Sequence, residues 1–158
     1  MLVHLALAFV LIAFSVAVHG AGTLALIGRL SSLLQRHVSV RVRFASVAVT
    51  AQVVSTLLVL HLIEASAWAA LYWLCNAIPD PETAFYFSLT SYTTVGYGDV
   101  VLPTDWRLLG PLEAATGILM FGWSTSIMVA AITRILADQV RTPSGSEPTA
   151  VAKVTLPQ

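Results

Sequence analysis

Six consecutive residues, Thr94-Val95-Gly96-Tyr97-Gly98-Asp99, have the types and spacing to hold a dehydrated cation. Glycines at alternate positions, Gly96 and Gly98, accept left-handed or strained backbone angles that a Cβ resists. Interleaved with Thr94, Val95 and Tyr97, they let successive carbonyl oxygens line a narrow axis instead of alternating sides as in a strand. Several such segments around one axis make cages of oxygens that replace an ion's hydration shell. A second group is ionisable. His61 and Glu64 lie three apart in one apolar run, and Glu113 opens another. Ionisable residues in such runs are functional candidates by default. These three read either as a proton-sensing group, because histidine titrates near neutral pH, or as a structural polar clasp. With a single cysteine, Cys75, there is no multi-cysteine metal site, and no nucleophile–base set or phosphate loop appears. An enzyme is not expected.

Thr93 to Asp99 reads TTVGYGD, and this stretch resembles the selectivity filter of the potassium-channel family. The resemblance covers about residues 44–136, the two-helix pore of prokaryotic type, here with an extra N-terminal transmembrane helix. It implies K+ held by the carbonyls of Thr94, Val95, Gly96 and Tyr97 and by the Thr94 hydroxyl. Gly98 completes the run, and Asp99 concentrates cations at the outer mouth. Thr93, Phe87, Thr90 and Tyr92 support the filter. It also implies passive conduction of K+ by a homotetramer, since one filter strand per chain needs four chains to surround an ion. No organic cofactor is implied. Two departures stand out. Many relatives brace the post-filter aspartate with a pore-helix tryptophan, and Phe87, read as that position, cannot donate. Others use a pore-helix glutamate, where Thr90 stands here. On the inner helix Gly117 and Gly122 are gating candidates. A glycine near this depth is the family's hinge, but small residues also mark close helix packing, and packing is favoured for Gly122. Two other readings stay open: a non-conducting or modulatory subunit of a heteromeric channel, and a potassium transporter subunit.

The rest of the chain must place these residues in a membrane. Of its 158 residues 57% are hydrophobic and 10% charged, against about a quarter charged in a globular chain, which excludes a soluble or nucleic-acid-binding domain. Three apolar stretches, about 2–27, 44–75 and 108–136, exceed the roughly 20 residues needed to cross a bilayer. The expected fold is an all-α membrane protein with three transmembrane helices, a re-entrant pore helix and an extended filter. Its parts are an N-terminal transmembrane helix (1–28), a basic loop (29–43), the pore domain (44–136) and a disordered tail (137–158). Within the pore domain the outer helix takes 44–75, the pore helix 81–92, the filter 94–99 and the inner helix 108–136. The pore helix is too short to cross, and irregular backbone at membrane depth survives only inside protein or beside a watery path.

Basic residues orient the chain. Arg29, Arg36, Arg41 and Arg43 follow the first span; Arg134, Arg141 and Lys153 end or follow the third; Arg107 stands apart. The positive-inside rule then puts the N-terminus outside, the C-terminus in the cytoplasm and the filter mouth outward, in a cell membrane. The first span has no basic n-region and an apolar run longer than a signal peptide's, so it is read as retained. It has no regular arginines, so it is no voltage sensor, and it contributes stability or assembly contacts. Its His4 and His19 read as packed or interfacial. Arg29, Arg36, Arg41 and Arg43 can meet anionic lipid headgroups, although topology anchoring explains the same charges. Ser124 reads as wetting the cavity wall or, more commonly for such hydroxyls, bonding back to its own helix.

Overall fold

The computed structural model describes residues 2–36 and 42–141. Four helices carry the fold: α1 (Leu2–Arg36), α2 (Val42–Leu74), α3 (Pro81–Tyr92) and α4 (Leu109–Arg141), with one 3₁₀ turn at Thr104–Trp106. No strand occurs among the described residues, so the fold is all-α. Stretches Leu2–Arg29, Val47–Leu74 and Thr104–Arg134 are long and apolar enough to cross a membrane. Of the expected loop 29–43, residues 29–36 continue α1 and 42–43 begin α2, and of the expected disordered tail 137–158, residues 137–141 extend α4. Residues 37–41 and 142–158 lie outside the described residues, as do the side chains of Arg36 and Arg43.

Local chemistry sets the turn that admits α3. Asn76 ends α2 in the left-handed conformation at φ 55°, which asparagine tolerates better than most residues. The N–H groups of Ala77 and Ile78 fold back onto the carbonyl of Tyr72 at 2.9 and 3.1 Å. Asp80 then caps α3, its carboxylate accepting from the Thr83 N–H (2.7 Å) and the Thr83 hydroxyl (2.6 Å). These bonds stabilise the charged form and hold the Asp80 carboxyl below its ordinary value. Pro81 fills the first turn, where no N–H is missed.

The three long helices pack in matching layers. One apolar cluster joins Ala8, Leu11 and Ile12 of α1 to Trp68 and Tyr72 of α2, Phe87 and Tyr92 of α3, and Leu109 of α4. A second joins Leu26 of α1, Val53, Leu57 and Leu60 of α2, and Ile127 and Ala131 of α4. Each long helix passes from one cluster to the other, so α1 and α4 run one way and α2 the other. Between the clusters each contributes buried polar residues: Ser15, His19 and Thr23 from α1, His61 and Glu64 from α2, Ser124 from α4.

Candidate functional site

The segment 94–98 leaves α3 through a backbone that alternates in hand. Thr94, Gly96 and Gly98 have φ of 63°, 53° and 79°, while Val95 and Tyr97 between them stay negative. Such alternation turns successive peptide planes the same way, which aligns the carbonyls along one side. Glycine adopts these angles freely; a β-branched threonine does so at a cost of roughly 1–3 kcal/mol. Two hydrogen bonds hold Thr94 there: its own N–H to the Ser91 carbonyl (2.9 Å) and the Gly96 N–H to the Thr90 carbonyl (3.0 Å). The last turn of α3 thus fixes the base of the segment. Thr93 closes that turn, its hydroxyl donating to the Leu89 carbonyl at 2.6 Å. The side chains of Val95 and Tyr97 are largely exposed, at 52% and 72%.

The aspartate brace sits one residue earlier than the sequence suggested. Phe87 is buried and packs edge-on against Tyr72, ring centroids 5.3 Å apart. Tyr86, one position back and on the outer side of α3, donates its hydroxyl to Asp99 Oδ2 at 2.7 Å. That bond holds the Asp99 carboxyl below its ordinary range and pushes the Tyr86 phenol up. Thr90 takes no part, its hydroxyl donating to the Phe87 carbonyl at 2.9 Å. The aromatic residues of α3 therefore divide: Phe87 and Tyr92 face the core, while Phe85 and Tyr86 lie at the surface.

The inner-helix glycines separate too. A Cβ on Gly117 would overlap the Tyr92 carbonyl oxygen outright and sit 2.9 Å from its carbonyl carbon. Gly117 is where α4 lies against the C-terminal end of α3. Gly122, the one read as a packing position, meets nothing within 4 Å in its own chain.

The ionisable residues are divided between two networks. His61 and Glu64 come together, but Glu113 does not join them. Glu113, fully buried, accepts from the Tyr72 hydroxyl at 2.8 Å and contacts the Ser88 hydroxyl, which also reaches the Ala65 carbonyl at 2.7 Å. It ties α2, α3 and α4 together. Around Glu64 a second imidazole comes from α1: His19 Nδ1 lies 2.9 Å from Glu64 Oε1. His19 Nε2 and His61 Nε2 flank the Ser124 hydroxyl at 3.0 and 2.9 Å. His61 Nδ1 lies 3.1 Å from the Tyr92 hydroxyl, which donates to Glu64 Oε2. All five side chains are buried, and all four helices contribute.

The sequence reads His19 as packed or interfacial and Ser124 as wetting a cavity wall or bonding back to its own helix; the structure joins both to Glu64's network. Ser124 bonds neither to its own helix nor to open solvent but to two imidazoles. The signal for His19 was its setting: Ser15, His19 and Thr23 recur every four residues in a span with no other strongly polar face, which marks one buried stripe.

A family model described as an ion channel matches residues 44–134, from α2 through α3 and the segment 94–98 to α4. No curated protein and no solved structure matches the chain.

Proposed function

Because the chain belongs to the ion channel family, and is accordingly a multi-pass membrane protein, we propose that it is a potassium-selective channel subunit conducting K+ passively as a homotetramer. The observation that carries this reading is the alternating hand of the backbone at Thr94, Gly96 and Gly98, seated on the end of α3. K+ is the cargo. It exchanges water for the carbonyls of Thr94, Val95, Gly96 and Tyr97 and for the Thr94 hydroxyl, so that dehydration is compensated at each step. Asp99, kept ionised by Tyr86, raises the local cation concentration at the mouth. The C-terminal end of α3 points its carbonyls toward the base of the filter, where their partial negative charge favours a cation.

One strand cannot enclose an ion, and the single chain leaves surface for partners. Val95 and Tyr97 are exposed, and a crevice of about 530 Å³ opens beside the filter, lined by Phe87, Thr90, Val101, Gly110 and Pro111 among others. Four copies around an axis bring such surfaces together. The basic residues support an N-terminus outside and a C-terminus in the cytoplasm of the cell membrane.

The purified chain alone in liposomes should pass thallium and rubidium along with K+, and exclude Na+. Absence of flux from a well-folded tetramer would favour a modulatory subunit of a heteromeric channel. Coupled accumulation against a gradient would favour a transporter subunit. A mass measurement on the detergent-solubilised protein should give four chains.

A further inference from the structure

The Glu64 cluster is a closed circuit: Glu64 to His19, His19 to Ser124, Ser124 to His61, His61 to Tyr92, and Tyr92 back to Glu64, five contacts in all. Each contact needs one hydrogen. With Glu64 ionised and both imidazoles neutral, the side chains supply four, one each from His19, Ser124, His61 and Tyr92. Four hydrogens in five contacts leave one place where two lone pairs face each other. They also leave a net charge of −1 in a site with His19 and Glu64 fully buried. Both faults are costly away from water.

One added proton corrects both. Placed on His61, on His19 or on Glu64 itself, it fills the fifth contact and brings the net charge to zero; Ser124 and Tyr92 keep their hydroxyl hydrogens in every arrangement. A further proton would force two hydrogens into one contact and leave a charge of +1. We infer that His19, His61 and Glu64 form a binding site for a single proton, whose occupancy sets how firmly Tyr92, and through it the base of the filter, is held.

No other charge competes for this role among the described residues. The groups facing the ring are His19 from α1, His61 and Glu64 from α2, Tyr92 from α3 and Ser124 from α4, with Trp123 and Phe121 as apolar rings alongside. The other buried carboxyl, Glu113, is engaged by Tyr72 and Ser88, and the buried polar residues include no lysine or arginine. Tyr92 is the link to the ion path. Its ring is held by the circuit and by Phe121 (centroids 5.6 Å apart), its carbonyl lies against Gly117, and its two preceding residues accept from the filter N–H groups.

The consequence for conduction rests on the potassium-channel reading; the proton count does not. The discriminating variant is Glu64→Gln. A glutamine accepts from Tyr92 through its oxygen and donates to His19 through its amide, filling all five contacts with both imidazoles neutral and no added proton. Thallium flux into liposomes carrying the full chain, and thermal unfolding in detergent, would be followed over about pH 5.5–9.5, a range spanning histidine titration. For the unmodified chain, flux and midpoint should both fall toward each extreme. Glu64→Gln should keep the acid limb and lose the alkaline one, its flux at the alkaline end exceeding that of the unmodified chain by about tenfold, the ratio one unmatched buried polar group produces. An alkaline fall unchanged in Glu64→Gln, flat profiles in both proteins, or a Glu64→Gln chain that does not fold at any pH would each overturn the inference. If the unmodified chain conducts nothing at any pH, the channel reading fails, and the unfolding profiles alone decide the proton site.

Discussion

At the scale of single residues, the filter mouth of the proposed channel depends on the bond from Tyr86 to Asp99. Asp99 is fully exposed, so the bond acts by fixing a carboxylate in place more than by adding stability. The sign of its pH dependence follows from the direction of the shift. The Asp99 carboxyl is held below its ordinary value, so the brace is complete at neutral pH and is lost only as pH falls through that lowered value. The raised Tyr86 phenol keeps the donor hydrogen in place on the alkaline side. Tyr86→Phe should therefore leave the unfolding midpoint nearly unchanged but shorten the conducting state in single-channel records, at neutral pH as much as at alkaline pH. An unaltered open time would show the brace to be idle. The glycines and the aspartate after them were legible by type, since Gly96 and Gly98 do take left-handed angles. Their brace was not. A slip of one residue along α3 turns the side chain by about 100°, enough to exchange the buried Phe87 for the surface Tyr86, and only the three-dimensional register settles which one reaches Asp99.

At the scale of elements, α3 was legible to its ends because its signals are local: Asp80 as cap, Pro81 in the first turn, and the filter glycines beyond the last. The packing of α4 against it was not, because closeness between elements distant in sequence leaves no periodic trace. Gly117 and Gly122 look alike in sequence, yet only the first is crossed by another element. The two are therefore expected to respond oppositely to the same change. Gly117→Ala inserts a methyl group where the Tyr92 carbonyl already lies, and overpacking of this kind costs about 1–3 kcal/mol. The carbonyl belongs to the residue two before Thr94, so flux should fall together with the unfolding midpoint. Gly122→Ala meets open space in its own chain and should preserve the midpoint. If α4 bends at Gly122, the alanine will change opening without changing stability. If flux also stays the same, the hinge lies elsewhere. Recording both quantities on both variants distinguishes a packing contact from a hinge, which sequence alone left at odds.

At the scale of the whole molecule, two apolar layers enclose a polar one, and the polar layer is where α1 joins the helices of the family match. The family match begins at residue 44, beyond α1, yet His19 supplies one of the contacts to Glu64 and one to Ser124. The first helix is therefore bound into the polar ring that holds Tyr92 and not merely laid against the outside of the other helices. His19→Leu tests this without confusing the result with poor insertion, because leucine in a membrane span favours insertion. Its loss leaves Glu64 and Ser124 each short of a partner, and unfolding should become easier by roughly 1–3 kcal/mol. Ser124→Ala opens the same circuit at two contacts and should cost a similar amount. The double variant separates a ring from a set of independent bonds. Independent bonds would add, except for the one contact the two residues share. In a ring, the first break already frees the imidazoles and Tyr92 to rearrange, so the second costs much less than it does alone, and the cycle shows a coupling larger than one shared bond explains. A double variant whose loss equals the sum of the two single losses would mean that α1 is held by separate contacts, with no circuit linking it to Tyr92.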